Sequence, residues 1–495
     1  MTSKAQHHSV DLMAIAEQTM REAGFITDWN SAAKQEVQKL VAAATREGAK
    51  PPDVSIRDLR SLLWSSIDDT KSRDLDQVEF AETLPGGNTR LLIGIADVDA
   101  LVTQGSDIDQ QAAANTTSVY TGVKTFHMLP EELSTGLTSL NAGEDRLAIV
   151  TEMVLNSDGV LQSKDIYRAL VTNHAKLAYE TVGDWLDGKT KVPESVASVP
   201  GLEPQIQLQF ESAKDLAQIR KENGAIEFGT IQATPVVDEQ GKVVELAVVE
   251  QNAARNLIAN FMIAANVAMA QFLEAKGGPT LRRVVRTPKD WERIVEIAAE
   301  HGEQLPAQPD SRALAEFLEK QRKSDPVHFP DLSLAIVKSL GPGEYAVQLP
   351  GKQGEGHFGL AVQDYTHSTA PNRRFPDLVT QRLVKAALDG KPAPYSVDEL
   401  RQIAEHCNER EAMSRKVERK MRKVAAALLL RDRIGDTFKA IVTGVTEKGT
   451  FARTVAPPVD GRVTKGEQGM RVGQTVQVRL LSTDPQHGFI DFARN

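Results

Sequence analysis

The residues best suited to chemistry lie in one stretch, Ser66-Ile67-Asp68-Asp69-Thr70-Lys71-Ser72-Arg73-Asp74-Leu75-Asp76-Gln77. It places four carboxylates within nine residues, directly after the apolar Leu62-Leu63-Trp64. In an extended chain Asp74 and Asp76 share a face, roughly 6–7 Å apart at about 3.3 Å rise per residue. Carboxylates at that spacing can grip one hard cation or flank a pair. Taken alone, the stretch equally suits a solvated acidic loop. An EF-hand does not fit, because Lys71 and Arg73 fall inside the would-be loop and its turn glycine is missing. Acids interleaved with bases are more consistent with Mg²⁺ held jointly by protein and phosphate, since Mg²⁺ completes its shell with water and substrate oxygens.

Three further groupings could serve a phosphate-rich substrate. Tyr365 to Asp377 sets Arg373 and Arg374 just before a helix start favoured by Pro376 and Asp377. Forked guanidinium groups and helix N-termini both suit phosphate, although paired arginines on a loop are also ordinary solvated charge. Arg415-Lys-Val-Glu418-Arg-Lys-Met-Arg-Lys423 is a basic helical segment that could track a nucleic-acid backbone, or simply face water. Near the C-terminus, Phe438 and Phe451 could stack on bases or fill a core.

The elements that must position these groups fall into three regions: 1–58, 59–432 and 433–495. Leu12, Ile15, Ala16, Thr19 and Ala23 repeat with the helical period before Gly24. A second helix is expected from Asn30-Ser31 to Gly48, before Pro51-Pro52, and a third through Ile56, Leu59 and Leu62. Three short helices suit a helix-turn-helix on nucleic acid or a helical cap on the next domain. Eight basic and eight acidic residues up to Arg60 give this region no charge bias toward DNA. The central region reads as mixed α/β. Val78–Thr83 and Arg90–Ala96 form a hairpin about Pro85-Gly86-Gly87-Asn88, and strands are expected near 148–155, 231–237 and 243–249. Asn256–Ala275 is apolar on nearly all sides and predicts a buried helix. Helices are also expected from Pro376 to Leu388 and, behind the capping box Ser396-Val397-Asp398-Glu399, as far as Arg433. The last sixty residues hold five short alternating strands, as in an OB-type barrel. The fold class is therefore multidomain α+β.

The 495 residues, 41% hydrophobic and 25% charged, suit a globular protein of several domains. The net charge of −9 argues against indiscriminate nucleic-acid binding. Residues 401–433, with ten basic and five acidic side chains, are locally basic. The single cysteine, Cys407, excludes an intramolecular disulfide framework and a cysteine-based zinc site. No apolar run is read as a membrane span and no signal peptide opens the chain, so a cytoplasmic protein is expected.

Taken in order, several blocks resemble the RNase II/RNase R (RNB) family of exoribonucleases. They are Asp68-x5-Asp74-x-Asp76; Ile93-Gly-Ile-Ala-Asp97; Ser118-Val-Tyr120 through Phe126-His-Met128-Leu129-Pro130 to Ser139-Leu140-Asn141; Met262-Ile-Ala-Ala-Asn266; and Gly356-His-Phe-Gly-Leu360 through Asp377. They span about residues 59–430, and the tail is similar to an S1 RNA-binding domain. The resemblance implies processive 3′→5′ hydrolysis of single-stranded RNA to 5′-mononucleotides by a monomer dependent on Mg²⁺ or Mn²⁺. Carried over by position, Asp68, Asp74 and Asp76 would serve the metal, with Asp74 and Asp76 catalytic and Asp76 the most critical. Arg373 would clamp the scissile phosphate and Tyr120 would stack on the terminal base. Arg374, Arg382, Phe438 and Phe451 would contribute to RNA binding. The chain departs from the family at Gln77, where a fourth Asp is usual. It departs again at Ala259-Asn260, where acids are usual, and in its helical N-terminus, where paired cold-shock barrels are usual. Three function classes follow: an active exoribonuclease, an RNA-binding relative weakened at Gln77, and a DNA-binding regulator led by the N-terminal helices.

Overall fold

The computed structural model describes residues 11–47, 55–229, 233–238, 243–288, 290–352 and 354–495. Helix α1 (Leu12–Glu22) opens at Asp11, whose carboxylate accepts the N–H groups of Met13 and Ala14, and so satisfies first-turn donors that a helix leaves unpaired. Its buried Leu12, Ala16 and Met20 pack with Val417, Met421 and Val424, far along the chain. Helix α2 (Ser31–Glu47) sends Ala33 and Val37 into a different core, the one built on Trp64 and Ile108. The two N-terminal helices thus have no core of their own and dock on the central region through separate faces.

The expected third helix does not form. Arg57–Asp58 is instead a short strand, β1, and Leu59 donates to Leu170 O at 2.9 Å. One helical turn carries a nucleation cost that pairing with an existing strand avoids. With that element gone and both helices engaged, the helix-turn-helix expectation is corrected to a docked helical cap. The expected stop at Gly48 and Pro51-Pro52 lies outside the described residues.

The central sheet contains β1, β2 (Trp64–Asp68), β3 (Gln77–Thr83), β4 (Thr89–Ala96), β5 (Asp145–Leu155) and β6 (Leu161–Ala178) in the order β1-β6-β2-β3-β4-β5. β5 also pairs with β6 over eleven residues of its length, so the sheet curls onto itself and leaves few open edges. The expected β3–β4 hairpin is present, and Gly86 and Gly87 supply the positive φ its turn demands. The strands expected near 231–237 and 243–249 form a separate ribbon, Ala233–Val237 with Val243–Val248, and residues 231–232 lie outside the described set.

Helices α3 (Leu202–Glu222) and α4 (Ala253–Ala275) cover one face of the sheet, where Leu257, Ile258 and Phe261 pack on Ile67, Ile93 and Ile95. Among the described residues α4 is long and apolar enough to cross a membrane by length and composition, contrary to the reading that no such run exists. Its apolar side chains are instead spent on the protein's own core.

Helix α5 (Phe375–Leu388) begins with Pro376 in its first turn, as expected. Helix α6 (Val397–Leu430) has 34 residues and a complete Ser396/Glu399 capping box, so it is about 51 Å long. Its early turns place Leu400 and Cys407 in the main core, its middle packs on α1, and Ala426, Ala427 and Leu430 enter the core of the terminal barrel. That barrel closes through the strands Thr437–Thr446, Gly449–Thr454, Asp460–Lys465, Phe489–Arg494 and Thr475–Asp484.

Two expected RNA contacts turn out to be structural. Phe438 is buried in the barrel core with the Arg433 guanidinium 4.5 Å from its ring centre; as the second residue of its strand it faces inward, with no face left for a base. Phe451 is half-buried at the barrel surface and remains available. Arg382 is buried, 2.8 Å from both Asp99 and Asp109, and donates to Tyr395 Oη and Val102 O. It fastens α5 to the segment after β4 and meets no substrate-accessible surface, because four oxygens already surround it.

Removing one member of such a buried pair strands the other's charge, at a cost of about 3–5 kcal/mol. Arg382→Ala is therefore expected to lower the unfolding free energy measured in urea by that order while leaving RNA affinity per folded molecule unchanged. An RNA-specific loss at unchanged stability would restore Arg382 as a contact.

Candidate active site

β2 delivers Asp68 at its end, and the chain then turns. The Asp68 Oδ1 accepts from Asp69 N at 2.7 Å and Ser72 Oγ at 2.9 Å. Past the turn the backbone is pinned from beneath. Leu75 N donates to Ser139 Oγ, Ser139 Oγ donates to Arg73 O, and Leu140 N donates to Leu75 O. Leu75 is driven into the core, and its neighbours Asp74 and Asp76 stand together on the other side. Both line a cleft of about 470 Å³, with Asp68, Gln77, Tyr120 and Arg373. The same-face expectation for Asp74 and Asp76 therefore agrees with their placement.

Arg373 arrives on the loop before α5. Asp377, in the first turn of α5 and fully buried, accepts Ala370 N at 2.9 Å and the Arg374 Nη2 at 2.7 Å. Arg374 is thus turned inward as the anchor of its own loop, which corrects its expected role in RNA binding: alternation that sends Arg373 to the cleft sends its neighbour to Asp377. Thr117 bridges Arg374, and Ser118 N donates to Arg373 O at 3.0 Å. This stitching brings Tyr120 beside Arg373. The Tyr120 hydroxyl donates to Asp74 Oδ2 at 3.4 Å, and its N–H donates to Glu418 of α6. Tyr120 is 43% exposed and lines the cleft.

Asp76 is the junction of these pieces. It is 3% exposed; Oδ1 accepts Asn372 N at 3.0 Å and Oδ2 lies 3.3 Å from Arg373 Nε. Burial pushes its carboxyl up to about 7, against the pull of Arg373 and the Asn372 N–H, while Asp74 and Asp377 push the same way as burial. Burial likewise raises Asp68 above the usual carboxylate range.

Two groups at the site escaped the sequence reading. Arg255, the lone base in the first half of an otherwise apolar α4, lies over the Tyr179 ring and reaches Asp69 at 2.6 Å and Glu180 at 3.1 Å. Its isolation on that helix was the available signal. Glu79 on β3 is fully buried with neither carboxylate oxygen hydrogen-bonded among the described residues; an acid inside an alternating strand gives no sign of which face it takes. At the Ala259-Asn260 departure, Ala259 lines the cleft while Asn260 turns to Arg220.

Among the described residues no three acidic, histidine or cysteine side chains converge to hold an ion unaided. Mg²⁺ does not need them to, since it usually takes one or two carboxylates and completes its shell with water and phosphate oxygens. The hard oxygen donors Asp68, Asp74, Asp76 and Gln77 on one cleft suit it. A larger cavity of about 790 Å³ beside Phe80, Trp185 and Phe210 has Glu211 as its only acid or base among the described residues, so the residue types suited to chemistry gather in the smaller one.

Residues 56–390 match the family described as RNB domain, and residues 436–495 match the RNase II-type exonuclease C-terminal S1 domain. The chain is 30% identical over 465 residues to Ribonuclease R 1 of Lactococcus lactis, covering 88% of this chain and 56% of that protein. It is 31% identical over 496 residues to Ribonuclease R of Escherichia coli, covering 93% and 60%. The chain therefore spans less than two thirds of the length of these relatives. Its fold matches that of Mycoplasma genitalium RNase R in complex with ribose methylated single-stranded RNA, with TM-score 0.86 and 24% identity, covering 98% of this chain and 78% of that one.

The raised Asp76 carboxyl has a consequence for stability without metal. Unfolded, it titrates near the model-peptide 3.8; folded, at about 7. Its protonated form therefore contributes stability that is full below pH 4 and is lost as pH rises through 7, at up to about 1.4 kcal/mol per pH unit. In chelator, Asp76→Asn is expected to match the parent near pH 4, to exceed it increasingly up to about pH 7 and to keep that margin above it. Urea midpoints measured across that range check this, and a pH-independent difference would refute it.

Proposed function

The chain belongs to the RNB-domain family, and on that premise we propose that it is a processive 3′→5′ exoribonuclease hydrolysing single-stranded RNA to 5′-mononucleotides. The observation that carries the reading is the pairing of Asp76 with Arg373 in the cleft that also gathers Asp68, Asp74 and Tyr120. Mg²⁺, or Mn²⁺ in its place, would be held by one or two carboxylates from among Asp68, Asp74 and Asp76, with water and phosphate oxygens completing its shell, and would supply Lewis acidity at the scissile phosphate. The rest falls to the chain's own side chains.

Arg373 is 42% exposed and meets Asp76 through Nε, which leaves its terminal nitrogens to take two phosphate oxygens and stabilise charge that develops on them. Asp76 holds that guanidinium in place. Tyr120, with its hydroxyl on Asp74, presents its ring to the terminal base. The basic segment of α6 adjoins Tyr120 through Glu418, where Arg419, Arg422 and Lys423 can follow the phosphate backbone. On the barrel, Phe451 offers an upstream stacking face. We place this activity in a cytoplasmic monomer engaged in RNA turnover, without DNA or membrane as partner. A second reading, RNA binding without turnover, has one observation in its favour: the neutral amide of Gln77 on the cleft wall.

A 5′-labelled single-stranded oligoribonucleotide, incubated with Mg²⁺, with Mn²⁺ or with chelator, separates the two. Metal-dependent shortening from the 3′ end is expected; binding without shortening would favour the second reading. Asp76→Asn is expected to abolish hydrolysis with RNA binding retained. For Arg373→Ala, kcat should fall by about 10²–10³-fold with a smaller change in binding, and equal losses would make it a uniform binding contact. Phe451→Ala should weaken RNA binding by about 1–3 kcal/mol. Phe438→Leu should instead register as lost barrel stability.

A further inference from the structure

Among the described residues two bases line the acidic cleft, Arg373 and Arg255. Arg373 meets Asp76 at one end of the acidic stretch, and Arg255 meets Asp69, one residue past Asp68, at the other. Each reaches the stretch from a distant element, Arg373 from the loop before α5 and Arg255 from the first turn of α4. That helix lends the cleft Arg255, Ile258, Ala259 and Met262, at the i, i+3, i+4 and i+7 spacing of a single face. Arg255 is the only charged member.

The Arg255 guanidinium lies 4.4 Å from the centre of the Tyr179 ring, and Tyr179 lines the same cleft. Both of its ion pairs run through one nitrogen: Nη2 donates to Asp69 Oδ1 at 2.6 Å and to Glu180 Oε1 at 3.1 Å. Nε and Nη1 make no hydrogen bond among the described residues. The aromatic contact and the two acids thus hold the fork in place with donors to spare. Those acids are loosely committed, since their side chains are 55% and 56% exposed. Ion pairs with such exposed acids contribute little to stability, and water can take either carboxylate when a better acceptor reaches the arginine. A phosphate is such an acceptor, because its bonds to a guanidinium are charge-assisted and fit the planar fork.

We propose that Arg255 is a second phosphate clamp, taking a backbone phosphate of the RNA next to the one that meets Arg373. The strand lies along the acidic stretch with one guanidinium at each end, and the entering phosphate replaces Asp69 and Glu180 on Arg255. Arg255 binds substrate and meets no reacting atom. The inference rests on the nuclease reading for the presence of RNA in this cleft, but not on turnover.

Binding of a 5′-labelled single-stranded oligoribonucleotide, measured in chelator over a range of salt, tests the clamp without turnover. Arg255→Gln is expected to weaken binding about tenfold and to lower the slope of log affinity against log salt by about 0.7, the loss of one phosphate contact. Arg255→Lys keeps the charge without the fork, so it should keep the slope and recover only part of the affinity. Asp69→Asn combined with Glu180→Gln strips Arg255 of its acids. The clamp requires this double variant to bind RNA more tightly than the parent, and Arg255→Gln added to it to cost the same slope again. If Arg255 only neutralises the two acids, that addition changes neither affinity nor slope, which overturns the proposal; so does a parent that binds no RNA. In Mg²⁺, Arg255→Gln should raise KM by a similar factor with kcat little changed. A parent that shortens RNA while Arg255→Gln keeps its slope sinks this inference alone. A parent that never shortens RNA, yet loses slope on Arg255→Gln, sinks the nuclease reading alone.

Discussion

The buried carboxylate of Asp76 is the constraint on which the site depends. It joins the start of β3 to a loop almost three hundred residues later, through one N–H and one guanidinium. Such donors offset the cost of burying the acid. The Arg373 loop must therefore sit against the acidic stretch for either to be stable, and the Asp377–Arg374 anchor holds that loop from the other side. The same contact that satisfies Asp76 aims Arg373 into the cleft. Structural necessity and the proposed catalytic geometry coincide at this pair.

Around that junction the molecule distributes charge by depth. Arg382 and Lys385 pair with Asp97, Asp99 and Asp109 behind the sheet, so these three acids are engaged within the fold. In the cleft, among the described residues, cations match only part of the negative charge. Carboxylates left without a cation at a concave site attract a hard divalent ion, and through it a phosphate. The contrast between two arginines one residue apart, Arg373 outward and Arg374 inward, is the same division at the smallest scale.

The long helix α6 gives the arrangement its reach. One continuous rod touches the main core, the N-terminal helices and the barrel. Its middle also accepts the Tyr120 N–H through Glu418. A barrel whose core includes Ala426, Ala427 and Leu430 is not a pendant module, and its half-buried Phe451 is carried on the same rod as the basic segment.

Much of this was legible in the sequence, because it depends on local physics. Glycines that need positive φ place the β3–β4 turn, and the Ser396/Glu399 pair marks the start of α6. Alternation about Leu75 puts Asp74 and Asp76 on one side. The ordered blocks from Asp68 to Asp377 pointed to the RNB family without any structure. What failed was whatever depends on the partner an element finds. Ile56 to Leu62 carries a helical spacing but is claimed by β6. The eighteen-residue β6 itself escaped notice, because its first five residues are exposed and later ones are buried on both faces. Arg382, Phe438 and Arg374 are side chains whose types suit RNA, and only the tertiary structure shows that four oxygens, a barrel core and a buried aspartate already occupy them. Glu79 is the converse case: no local pattern distinguishes it from a surface acid on an amphipathic strand. Residue types and spacing determined which chemistry the chain could carry; burial, which is set by distant segments, decided which of those residues can perform it.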